Sequence, residues 1–119
     1  MHIVITGANR GIGKELAALY TAQGHDVTQT SRTPREGFSV LDVDDPASHA
    51  AFADGLNGKP IDLLIANAGI GHGTGKYLME RPEQTHELSM INVIGVSNTV
   101  MPIINRMAAR GRGQIALMA

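Results

Sequence analysis

The chain has 119 residues, 43% of them hydrophobic and 18% charged, with a net charge of −1 and no cysteine. That length supports one domain with its own core, the charge balance leaves no surplus of cations for a nucleic-acid partner, and the missing cysteines exclude a disulfide framework and a thiolate metal site. No apolar run approaches the ~20 residues that span a bilayer, and "MHIVITGANRG" lacks the basic flank, full apolar stretch and cleavage site of a leader, so a cytoplasmic protein with no membrane partner is expected.

Apolar runs then alternate with helical patterns, each closed by turn residues, which is the rhythm of β-α-β units. Residues 2–6 read as a buried strand. The segment 11–23 reads as a helix with Ile12, Leu16, Leu19 and Tyr20 on its inward stripe and Gly24 at its end. Between them lies "TGANRGIG", whose glycines Gly7, Gly11 and Gly13 let the backbone turn sharply and approach a pyrophosphate, while the helix start offers free N–H groups to the anion. Such a turn also serves as a plain tight connection, and its spacing is G-x-x-x-G-x-G. Gly7, Asn9, Arg10, Gly11, Ile12 and Gly13 are the candidate phosphate loop.

Residues 26–31 form the second strand, and its end decides which dinucleotide fits. A carboxylate there accepts the ribose hydroxyls of NAD and repels a 2′-phosphate. Ser31 and Arg32 hold the place instead, and Arg10 can approach from the first loop, so NADP (NADPH) is favoured over NAD. Taken alone, both arginines also read as solvated surface charges. "TPREG" opens like a helix, with Thr33 as cap, Pro34 first and Glu36 as capping acid, but Gly37 stops it within a turn, leaving a short loop before a third strand at 38–41. Asp42, with Val43 beside it, leaves that strand where an adenine amino group would be met, although "LDVDDP" serves equally as a strand exit and helix cap.

Asp45 and Pro46 start a helix that ends near Leu56, before the breakers Asn57, Gly58 and Pro60. A fourth strand follows at 61–66, then Asn67, Ala68, Gly69 and a glycine-rich loop. Pro82 and Glu83 open a long helix, 82–109, with apolar residues on more than one side and Pro102 inside it, where a bend is expected. Arg106, Arg110 and Arg112 near its end complement the helix dipole. Asn92 sits mid-helix, where asparagine is disfavoured because its side chain competes for backbone bonds, so a specific task suits it. "GQIALMA" reads as a fifth strand. "HELSM" lacks the second histidine of a zinc site, "GIGHGTGKY" lacks the glycine and hydroxyl of a P-loop, and the five histidines show no ligand spacing, so no metal is assigned.

In this order and on these elements, "TGANRGIG", "LDVDDPAS", "LIANAG" and "INVIG" resemble the short-chain dehydrogenase/reductase family. The short link between the second and third strands is similar to its compact, C-factor-like branch. The resemblance implies an α/β fold, a Rossmann-type doubly wound parallel sheet of strand order 3-2-1-4-5. It implies one dinucleotide-binding domain over 1–119 and hydride transfer between NADPH and a small carbonyl or alcohol substrate. Asn67, Ala68 and Gly69 would support the sheet centre along the cofactor ribose, with Ala66 where a second asparagine is frequent. Asn92 would be the helix asparagine of the catalytic tetrad, holding a water of the proton relay. The family's serine and Y-x-x-x-K pair are not found: Tyr20 and Tyr77 are followed four positions later by Gly24 and Arg81. The chain alone is therefore expected to be inactive. The sheet is expected to be incomplete at its carboxy-terminal edge, with one face bare beside strands four and five, so that a homo-oligomer or a further segment must cover it. A non-catalytic nucleotide-binding or interaction module is the alternative.

Overall fold

The computed structural model describes residues 1–70 and 82–118. The glycine-rich loop expected after Gly69, with Tyr77 and Arg81, falls largely outside them. Strands β1 (His2–Ile5), β2 (Asp26–Ser31), β3 (Ser39–Val40), β4 (Leu63–Ala66) and β5 (Gln114–Leu117) form one parallel sheet in the order β3-β2-β1-β4-β5, as expected. The helices are α1 (Gly11–Ala22), α2 (Pro46–Gly55), α3 (Pro82–Ser89) and α4 (Gly95–Arg110). No helix intervenes between β2 and β3, where the sequence stops one after a single turn.

Alternation along the central strands divides the core between two faces. Val4 and Leu64 pack with Phe52 of α2 and with Ile103 and Met107 of α4. Ile3, Ile5, Leu63 and Ile65 point the other way, towards Ala17 of α1, with Leu16 and Tyr20 beside it. Two sequence expectations need correction on this second face. Ile12 and Leu19 are 61% and 52% exposed, and the buried positions of α1 are Gly13 and Ala17. Small residues let the helix lie close to the strand ends, and the bulkier pair is turned outward. Nor is the face bare beside β4, because Leu63 and Ile65 are buried; the exposure begins at β5, an edge strand whose residues are mostly exposed, as are those of β3 at the opposite edge.

The stretch expected as one long helix is divided. Between α3 and α4, Met90–Ile94 forms a π-helical turn, while α4 runs through Pro102 without interruption. None of α3's side chains is buried, whereas α4 buries Thr99, Ile103 and Met107 against the sheet. By length and composition alone, the 29 residues Pro82–Arg110 could cross a membrane, which corrects the expectation that no stretch comes near that measure. Their inward stripe is packed as a core helix, and Met101 and Ile104 form a second, exposed apolar side. Arg110 closes α4 against β4 by donating to the Ile61 carbonyl at 2.9 Å and to Asp62 Oδ1 at 3.2 Å. Asp62 also accepts the His2 backbone N–H at 2.7 Å, so its carboxyl lies below the usual carboxylate range, held there first by that N–H and then by Arg110.

Candidate functional site

Thr6, buried at the tip of β1, fixes the start of the site. Its Oγ1 accepts the backbone N–H groups of Asn67 and Ala68 at 3.0 and 2.9 Å. Asn67 returns the contact, its Nδ2 donating to the carbonyls of Thr6 and Gly7 at 3.1 and 3.2 Å. The tips of β1 and β4 are thereby locked side by side. Space is the second constraint: a Cβ on Gly7 would come within 2.8 Å of Ala68 Cα, and one on Gly13 would strike Asn67 Nδ2 and come within 2.8 Å of the Gly7 carbonyl.

Beyond this brace α1 begins without protection. Arg10, in extended conformation, precedes it and provides no side-chain cap, and the first turn holds no acidic residue. The helical ladder starts with the Lys14 N–H on the Arg10 carbonyl, so the amides of Gly11, Ile12 and Gly13 have no partner within the helix. In α2, by contrast, Asp45 Oδ1 accepts the Ala47 N–H at 3.0 Å. An uncapped helix start carries partial positive charge and suits an anion.

Of these residues Gly11 and Ile12 line a cavity of about 640 Å³ at the carboxy-terminal ends of β1 to β4, where open α/β sheets bind ligands. Its walls bring together nearly all the expected cofactor residues: Gly7, Asn9, Arg10, Gly11 and Ile12 from the first turn; Ser31 and Arg32 after β2; Asp42 and Val43 after β3; and Asn67, Ala68 and Gly69 after β4. Gly13 stands behind the wall as a spacer. Thr33, Arg35, Ile70 and Ile91 also line the cavity and were not assigned to the site from the sequence. Thr6 was missed as well, although a threonine immediately before a glycine turn offers the hydroxyl that such a junction needs.

Several of the polar side chains are already engaged. Ser31 Oγ donates to the Thr33 carbonyl at 2.7 Å, and Arg32 Nε lies 3.7 Å from Asp42 Oδ2. The Asp44 carboxyl hydrogen-bonded to Asp42, together with burial and Asp44's charge, pushes the Asp42 carboxyl above its ordinary value, against the opposing pull of Arg32. Asn92 stands in the π-helical turn and grips Ile70 twice, accepting its N–H at 2.9 Å and donating to its carbonyl at 2.8 Å. Both polar atoms of its side chain thus hold the segment after β4, while the neighbouring Ile91 faces the cavity. Gly95, a turn further on, approaches Val43 so closely that a Cβ would lie 2.7 Å from Val43 Cγ2. Tyr20 stacks edge-on with His25 at the far end of α1. Among the described residues no group of three histidine or acidic side chains could hold a metal.

A cavity with unpaired amides, guanidiniums and a clear approach between glycines fits a dinucleotide diphosphate, and comparison with known proteins agrees with this fold. The sequence pattern of the short chain dehydrogenase family matches residues 1–119. A 3-ketodihydrosphingosine reductase of Bacteroides thetaiotaomicron is 33% identical over 120 residues, covering 95% of this chain and 44% of the relative. An acetoacetyl-CoA reductase of Rhizobium meliloti is 30% identical over 125 residues, covering 94% and 52%. Among solved structures, a serine dehydrogenase from Escherichia coli superposes with a TM-score of 0.87 at 24% identity, covering 98% of this chain and 60% of that one. A gluconate 5-dehydrogenase from Burkholderia cenocepacia, in complex with NADP and tartrate, gives 0.83 at 30% identity, covering 98% and 52%. The chain spans about half the length of these relatives. Sheet order, glycine turn and family match converge: this chain belongs to the short-chain dehydrogenases, a family of oxidoreductases with a Rossmann-type fold.

Proposed function

We propose that the chain is the cofactor-binding part of an oxidoreductase that uses NADP(H), and that the whole enzyme acts on a small carbonyl or alcohol. One observation carries the reading: an uncapped helix start opens into a cavity that Arg10, Arg32 and Arg35 also line. When bound, the nicotinamide cofactor supplies hydride chemistry. The chain's own residues bind and orient: the amides of Gly11 and Ile12 receive the diphosphate, the guanidiniums receive the extra phosphate, and Asn92 holds the Ile70 segment against the cavity. The NADP bound by the gluconate 5-dehydrogenase, at 30% identity, supports the choice of dinucleotide.

Titration with NADPH and with NADH, followed by fluorescence, tests the reading. NADPH should bind more tightly, and Arg32→Asp, which sets a carboxylate beside the extra phosphate, should weaken or invert that preference; equal affinities of the unmodified chain for the two nucleotides would sink the assignment. Because no tyrosine here is followed four positions on by lysine, this chain alone should not turn over a generic dicarbonyl. Clear reductase activity from the 119-residue chain would overturn that part.

A further inference from the structure

Arg32 is the guanidinium nearest the end of β2, yet it is not free. Asp42 lies 3.7 Å away, and Asp42 is itself fastened: its backbone N–H donates to Ser48 Oγ at 2.8 Å, and the next carbonyl, that of Val43, meets His49 Nε2 at 2.8 Å. These bonds fix the backbone that carries the carboxylate and so keep Asp42 beside Arg32. A phosphate approaching Arg32 meets a guanidinium whose charge is already opposed, together with a like charge close by.

Arg35 stands on the same cavity under different conditions. The Phe38 N–H donates to the Arg35 carbonyl at 3.1 Å, closing a turn that brings the Phe38 ring under the guanidinium, 5.7 Å from its centroid. Phe38 packs against the α1 side of the core, so the ring is anchored. Neither Glu36 nor any other carboxylate among the described residues forms an ion pair with Arg35. A cation resting on an aromatic face loses less freedom when it binds an anion.

Building on the NADP reading, we infer that Arg35 is the principal specificity-determining cation for a phosphate on the adenosine ribose, and that Asp42 acts as the internal counter-ion that restrains Arg32. The short β2–β3 loop, where a helix fails to form, places Arg35 and Phe38 together.

Adenosine 2′,5′-bisphosphate and 5′-AMP isolate this subsite, and calorimetric titration of both reads it. Arg35→Gln should weaken the bisphosphate about tenfold and leave AMP unchanged, whereas Arg32→Gln should cost only about threefold. Asp42→Asn should strengthen the bisphosphate by about threefold, and should do nothing when Arg32→Gln is already present. Bisphosphate binding that survives Arg35→Gln, or an Asp42→Asn variant that weakens both probes alike, would overturn the inference. If Arg32→Gln alone abolishes discrimination, the inference falls and the NADP reading stands; if the unmodified chain binds both probes equally, the NADP reading falls and takes the inference with it.

Discussion

Gly11 and Gly13 stand two positions apart and are glycines for different reasons. Gly11 has a φ of +56° and nothing within 4 Å of the place a Cβ would take, so a side chain there costs conformational strain of about 1 kcal/mol but meets no wall. Gly13 has no positive φ but no room, since a Cβ would strike Asn67 Nδ2 and the Gly7 carbonyl. Gly13→Ala should therefore cost about 1–3 kcal/mol in urea unfolding and reduce dinucleotide affinity at least about tenfold, because the Asn67 brace and the glycine turn must part. Gly11→Ala should lose the smaller amount and keep the brace. Equal losses in the two variants would show that crowding at Gly13 is not the governing constraint.

At the level of elements, Asp62 joins β4 to both β1 and α4 through the His2 N–H and Arg110. Its folded pKa is depressed, so the stability it contributes is complete above the unfolded value near 4 and is lost as pH falls through the lower folded value. Asp62→Asn should be less stable than the unmodified chain at pH 7, and the gap should narrow below about pH 4; a constant gap in urea unfolding at pH 7 and pH 3 would remove Asp62 from the acid limb. Strand order and the glycine turn were legible in the sequence because alternation, turn residues and spacing are local signals. The inward side of α1 was not, because Ile12 and Leu19 fit a helical stripe as well as Gly13 and Ala17 do, and only the closeness of the strand tips chooses the smaller pair. The π-helical turn at Met90–Ile94 was hidden for a related reason: its asparagine bonds to Ile70, twenty-two positions away, which no helical periodicity records. Arg35 escaped notice because its placement depends on a loop closing under it.

The molecule as a whole is lopsided. β1 is completely buried, while β5 pairs only with β4 and keeps Gln114, Ala116 and Leu117 exposed. Unpaired strand edges invite pairing between chains. Sedimentation of the chain should show association that grows with concentration, and Ala116→Lys should reduce it by at least about threefold. Unchanged association would move the adhesive surface to the β3 edge or to Met101 and Ile104 on α4.

The cavity draws its walls from β1 to β4, their turns and Ile91, and takes nothing from β5. Occupying it therefore stiffens the middle of the sheet, by mass action on the native form, while the outermost ribbon frays as freely as before. A protease arriving from the carboxy-terminal side would meet the same open seam whether the nucleotide was seated or absent.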